Sequence, residues 1–336
     1  MALIAPYARR AAGQLAQVRP VWLLLALAAE MASMMAFARL QRLALGSGGG
    51  LRVKLGSALA TVFSANALGA TLPGGSLVAI TYRTRRMRSW GASVPQIGFT
   101  HAATGVLSTI ALVVLAGAGQ TLAGDGSQLV RVTVHVAAIG ALTGAALALV
   151  HHAAVLRRPV GASLRVWGRL RHNDVGQTSA DRLLEELAAI HPPARFWAQG
   201  FGFALFNWTA DCLCLLAVCH AVGARPSLST VLLAYVAGTT AASAMPFLPA
   251  GVGVLDAALV LTLHHGGVPS GAATAADLLY RTITPGLVAV AGWILLVQQR
   301  RRSARGQGGR GAGRKPSIWP TSPSATVATS AAGRKT

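Results

Sequence analysis

The chain has 336 residues, of which 53% are hydrophobic and only 12% charged, with a formal net charge of +21. A soluble domain carries about twice that charged fraction, so an ordinary water-soluble protein is excluded. The positive charge sits in a few loops and in the tail, between uncharged blocks, which argues against nucleic-acid binding and matches the topology signals of a membrane protein.

A membrane-crossing helix needs about 20 mostly apolar residues. After a basic N-terminal stretch, residues 1–20 with Arg9, Arg10 and Arg19, eight such segments follow in chain order. The first, 21–43, contains Glu30. It has signal-peptide-like flanks but runs on to Phe37 without a convincing cleavage site. The second, 55–80, is uncharged and broken by Pro73-Gly74-Gly75. The third is 97–119 and the fourth 129–152, with Arg131 near its start. The fifth, 196–220, holds Asp211 and all three cysteines, Cys212, Cys214 and Cys219. These lack metal-ligand spacing and read as small apolar residues of a buried helix. The sixth, 228–248, ends in Pro246 and Pro249. The seventh, 250–265, is short and contains Asp256. The eighth, 275–298, contains Asp277, Arg281 and Pro285.

Loop 153–195 begins with an amphipathic pattern of Leu164, Val166, Trp167 and Leu170 among Arg165, Arg169 and Arg171. This pattern suits a helix lying on an anionic inner leaflet. Its second part, from Thr178 to Ile190, carries helix-start signals and stops at His191-Pro192-Pro193. The tail, 300–336, is rich in Gly, Ser, Ala, Pro and Arg and reads as disordered. If all eight segments span and both termini are cytoplasmic, 23 basic residues lie inside. Five lie outside: Arg39, Arg42, Arg52, Lys54 and Arg225. Basic residues favour the cytoplasmic side. The expected location is therefore the cytoplasmic membrane, multi-pass, with the strain of the count at residues 39–54.

Leu72-Pro73-Gly74-Gly75 is repeated as Leu248-Pro249-Ala250-Gly251, 176 residues later, and each follows an uncharged segment rich in Ala, Thr and Ser. Four segments then fall in each half, which would make the halves parallel repeats if every segment spans. Proline removes a backbone donor and glycine frees the backbone, so both sites predict interrupted helices. Interrupted segments at matching places in two halves point to a transporter's binding site.

Four of the nine acidic residues, Glu30, Asp211, Asp256 and Asp277, fall in predicted spans. Each charge there costs about 2.5–3.5 kcal/mol on insertion scales, so a role is expected. Arg281 stands one helical turn after Asp277 and could pair with it. Asp256 follows the second break in Gly251-Val252-Gly253-Val254-Leu255-Asp256. Arg281 with unwound backbone amides could hold a lipid phosphate, with Asp256 balancing charge, recognising an amine or carrying a proton. The histidines show no zinc-like spacing. No nucleophile elbow, P-loop, dinucleotide fingerprint or metal-binding helix motif is present.

These residues resemble a known family. Asn66, Leu72-Pro73-Gly74-Gly75, Tyr82-Arg83 and Trp90-Gly91 are similar to the first signature of the flippase-like, lysylphosphatidylglycerol-synthase transmembrane family. The run from Leu248 to Ala258 resembles the second, and Leu279-Tyr280-Arg281 resembles the arginine motif of its last helix. The likeness covers about residues 20 to 300. It implies a polytopic inner-membrane protein that translocates or handles phospholipids, without the soluble aminoacyl-transferring domain that some members carry. Asp256 stands where the family usually has Glu, and Ala250 where it often has Gly.

The expected fold is an all-α polytopic membrane protein of about eight spanning or re-entrant helices. A flippase-like domain over 21–299 would precede the basic tail. The expected function is lipid translocation or lipid handling by a non-enzyme, at a cavity between the halves. Its candidate substrate-binding residues are Asn66, Pro73, Gly74, Gly75, Arg83, Asp211, Pro249, Gly251, Gly253, Asp256 and Arg281. Arg281 and Arg83 would meet the phosphate. No cofactor or metal is expected; the partners are phospholipids, the anionic inner leaflet and a homo-oligomer or membrane partner protein. Two alternatives remain: a membrane enzyme acting on lipids with Asp256 or Asp211 as acid–base groups, and a non-transporting scaffold that docks a partner on its basic loops.

Overall fold

The computed structural model describes residues 18–47, 50–124, 192–245 and 247–311. The fourth segment, nearly all of loop 153–195, the stretch 1–17, Pro246 and most of the tail lie outside the described residues. All regular elements among the described residues are helices. They are α1 (Pro20–Ser47), α2 (Leu55–Thr71), α3 (Gly75–Ser89), α4 (Val94–Ala123), α5 (Ala194–Ala221), α6 (Leu228–Ala244), α7 (Val254–His265) and α8 (Ser270–Arg281). A π-helical turn (Thr282–Leu287) then leads into α9 (Val288–Gly311). From Val297 the chain forms a second unit, in which α9 continues to Gly311.

Four stretches are long and apolar enough to cross a membrane: Pro20–Ser47, Val94–Ala123, Ala194–Ala221 and Ser270–Gln299. A 28-residue helix is about 42 Å long, enough for the hydrocarbon core and its borders. Large apolar residues face outward along these helices, among them Leu24, Leu25, Phe206, Leu213, Val290 and Ile294. Lipid tails are as apolar as the side chains, so such faces are stable in a bilayer.

The core is a long antiparallel pair, α1 against α5. Arg19 N–H donates to Ala221 O at one end, Trp22 stacks on His220, and Asn207 Nδ2 donates to Ser33 Oγ at 2.7 Å near the middle. Ala44 and Phe196 share a cluster at the other end. Helix α4 runs parallel to α5: Phe99 meets Phe196, and Trp208 Nε1 donates to Ser108 O at 2.8 Å. The buried cysteines line α5, as their apolar setting predicts.

Segments 55–80 and 228–265 are not simple spans. The first is the helical hairpin α2–α3, folded back at Leu72–Gly74 so tightly that a Cβ on Gly75 would strike the backbone of Gly69. The second is the hairpin α6–α7, folded back at residues 245–253, with Gly266 against Thr230 at its base and Gly238 against Leu255 near its tip. The stretches after both breaks are regular helices. A 17-residue helix is about 26 Å long, too short to clear the bilayer with its borders.

The hairpins enter from opposite ends. The first is rooted at the C-terminal end of α1, where Arg42 Nε donates to Val53 O at 2.8 Å. The second follows the C-terminal end of α5, which lies beside the start of α1. Among the described residues each half thus reads as helix, hairpin, helix: α1, α2–α3, α4, then α5, α6–α7, α8–α9. Since α1 and α5 are antiparallel, the repeats are inverted. The parallel arrangement depended on every segment spanning, and the hairpins remove that premise. They also place Arg39, Arg42, Arg52 and Lys54 at the same end as Arg85, Arg86 and Arg88. The split that put the first four outside and the others inside is therefore overturned.

Candidate functional site

The two breaks meet. Gly74 N–H points to Phe247 O at 3.5 Å, joining the hairpin tips near the middle of the bundle. At the second tip the backbone takes left-handed values at Ala250 (φ 49°), Gly251 (φ 62°) and Gly253 (φ 86°). Glycine adopts these without a steric penalty; alanine does not. Pro249 opens the short 3-10 turn. The turn leaves the carbonyls of Ala250 and Gly251 free of helix partners, and both accept hydrogen bonds from Arg281: Nη1 to Ala250 at 2.7 Å and Nη2 to Gly251 at 3.3 Å.

Arg281 Nε forms a salt bridge with Asp256 Oδ1. The other oxygen of Asp256 accepts from Gly253 N–H at 2.6 Å, capping the first turn of α7. Both side chains of the pair are partly exposed, at 15% for Arg281 and 28% for Asp256. Among the described residues, the two remaining N–H donors of the guanidinium make no further hydrogen bond. The expected pairing of Arg281 with Asp277 is replaced by this bridge to α7. Asp277, the eighth residue of α8, is buried, with Oδ1 lacking a hydrogen-bond partner among the described residues. The helix geometry explains the choice. The π-helical turn with Pro285 starts directly after Arg281, and the break at residues 249–253 brings Asp256 to it.

The first hairpin supplies a second group. Arg83 Nη2 donates to Asn66 Oδ1 at 3.3 Å, the guanidinium lies 5.2 Å from the ring centroid of Phe37, and Nε has no partner among the described residues. Asn66 Nδ2 in turn contacts Met34 Sδ at 3.2 Å. Asn66 and Arg83 stand about 12 Å from the tip, two helical turns along α2 and α3 toward the basic end. Pro73, Gly74 and Gly75 form the tip itself.

Asp211 does not join either group. It accepts from Tyr235 Oη at 2.9 Å in the interior between α5 and α6. The sequence offered no sign of Tyr235, nor of Thr284, whose hydroxyl reaches Glu30 Oε2 at 2.9 Å. The structure therefore joins Pro73–Gly75, Pro249, Gly251, Gly253, Asp256 and Arg281 into one junction, with Asn66 and Arg83 as an outlying pair and Asp211 elsewhere.

The sequence profile of the family described as "Lysylphosphatidylglycerol synthase TM region" matches residues 8–292. The chain belongs to this family. The match takes in both hairpins and ends inside α9. No curated protein matches the chain. Membership shows a membrane protein with a lipid-related role, in keeping with the four long apolar helices.

Proposed function

We propose that the chain is a lipid translocase or lipid-handling transporter for phospholipid headgroups, bound at the junction of the two hairpin tips. One observation carries this reading: Arg281 is tied at once to Asp256 and to two carbonyls of the broken backbone, at the place where the hairpins touch. A lipid phosphate can take the two unoccupied N–H donors of Arg281. It also competes with the carbonyls of Ala250 and Gly251, because a charged acceptor forms the stronger hydrogen bond. Headgroup binding would then loosen the second tip from Arg281, linking occupancy to hairpin position. Asp256 holds the guanidinium in place, and Arg83 offers the same headgroup chemistry nearer the basic end. The reading assigns no bond-breaking chemistry to these groups.

The basic end gives the direction. Among the described residues of the bundle, Arg39, Arg42, Arg52, Lys54, Arg85, Arg86, Arg88 and Arg195 cluster there, against Arg19 and Arg225 at the other end. By the bias of basic residues, the basic end faces the cytoplasm and the membrane is the cytoplasmic one. This puts the start of α1 on the outer side, which revises the expectation of a cytoplasmic N-terminal end for the first segment.

The test is flipping of fluorescent anionic, zwitterionic and aminoacylated phospholipids in proteoliposomes, read by quencher accessibility. Loss of a charge-assisted hydrogen bond, worth about 1.5–3 kcal/mol, should slow flipping roughly tenfold or more in Arg281→Gln and Asp256→Asn. Variants that elute as folded protein yet flip at the native rate would overturn the assignment.

A further inference from the structure

The strongest feature outside the hairpin junction is a polar layer inside the bundle. Glu30 on α1 and Asp211 on α5 are both buried, at 3% and 6% exposure, near the middle of the antiparallel pair. Their carboxylates are near enough for their charges to repel. Glu30 Oε2 accepts from Thr284 and Asp211 Oδ2 accepts from Tyr235, yet Glu30 Oε1 and Asp211 Oδ1 are buried without a donor among the described residues. The other titratable groups facing the pair are Cys212 and Cys214 on α5, Tyr235 on α6 and Tyr280 on α8. Among the described residues no basic side chain faces the pair. Two neighbouring carboxylates with no basic partner among the described residues do not both keep their charge in such a place; like charges at a shared site force one group to hold a proton.

We propose that Glu30 and Asp211 form a proton-binding site that is coupled to the hairpin junction through the π-helical turn. A proton from water forms an O–H bond on one carboxyl and removes one of the two charges; its release restores the repulsion. The connection is short. Thr284, the hydroxyl donor to Glu30, lies in the π-helical turn three residues after Arg281, and Cys214 Sγ is 3.9 Å from Thr284 Oγ1. A hydroxyl binds a carboxylate more strongly than a neutral carboxyl, so protonation weakens the bond from Thr284. π-helical turns are inserted irregularities that are often found at functional sites, and this one carries Arg281 at its edge. Among the described residues no group of three metal-ligating side chains occurs, and the oxygens left free here suit a proton. The coupling, unlike the proton site, rests on the translocation reading above.

Two measurements on the full chain test this. Infrared spectra of the protein in nanodiscs of phosphatidylethanolamine and phosphatidylglycerol should show a protonated-carboxyl stretch at neutral pH. That band should be lost or halved in Glu30→Gln and in Asp211→Asn. A wild-type spectrum without the band overturns the site, and a band removed by exchanging choline for sodium overturns it in favour of a sodium site. In proteoliposomes, an imposed proton gradient should change the flipping rate roughly fivefold or more, and Glu30→Gln should flip without responding to the gradient. Flipping that ignores the gradient in the wild type overturns the coupling. A band without any flipping supports the proton site and counts against translocation; flipping without a band does the reverse.

Discussion

Single residues set the shape of the two breaks. Ala250 holds φ 49°, the only positive value outside glycine among the described residues. Left-handed backbone costs a residue with a Cβ about 1 kcal/mol or more, and glycine removes that cost while adding some freedom to the unfolded chain. Ala250→Gly should therefore raise the melting temperature of the purified protein, by the equivalent of a few tenths to about 1 kcal/mol. Gly75→Ala should act in the opposite sense. Its methyl group would meet the backbone carbonyl of Gly69, which cannot rotate away as a side chain would. Overpacking of this kind costs about 1–3 kcal/mol, and a lowered melting temperature is the expected outcome. The same contrast governs what could be read in advance. Pro73, Gly74, Pro249 and Gly251 announce a break in one dimension, because backbone chemistry is local. The partner of Arg281 is not local: the nearest acid in sequence, Asp277, loses to Asp256, which only the fold brings within reach.

At the level of elements, the helices were legible and their direction was not. A hydropathy window counts apolar residues and is indifferent to a reversal in the middle of them. Segment 55–80 is long enough to cross, yet its two arms lie side by side. Gly75 is the residue that permits this, since a Cβ there would strike the backbone of Gly69 and only glycine leaves that space open. The meeting of the tips gives a direct check. With Cys212, Cys214 and Cys219 replaced by alanine, cysteines at Gly74 and Phe247 should oxidise to an intramolecular disulfide. Their backbones already lie in contact at 3.5 Å, within the reach of such a bridge. A reductant-reversible shift on a denaturing gel is the expected readout. The absence of any shift would mean that the two tips do not meet.

For the molecule as a whole, the inverted repeat decides which loops share a side. Single cysteines replacing Lys54 and Arg88 should react with a membrane-impermeant maleimide from the same face, and one replacing Arg225 from the other. An arrangement in which every apolar segment spans predicts that positions 54 and 88 label from opposite faces, so the experiment separates the two topologies without any knowledge of substrate. Composition and charge were enough to say membrane protein, and the paired motifs were enough to suggest two halves. The sign of the repeat came only from the register of α1 against α5, a long-range fact that no local pattern encodes.

The two halves share a scaffold but not a set of charges. The offset that carries the second break onto the first brings Asp256 onto Ile80 and Arg281 onto Gly105. A molecule built of inverted halves can turn from one face to the other by letting each half adopt the shape of its twin, with no new fold required. Were the halves chemically equal, the two states would balance. Here the tie from Arg281 to the second tip has no counterpart at Gly105; on the translocation reading proposed above, that latch tilts the resting equilibrium, and its strength sets how far.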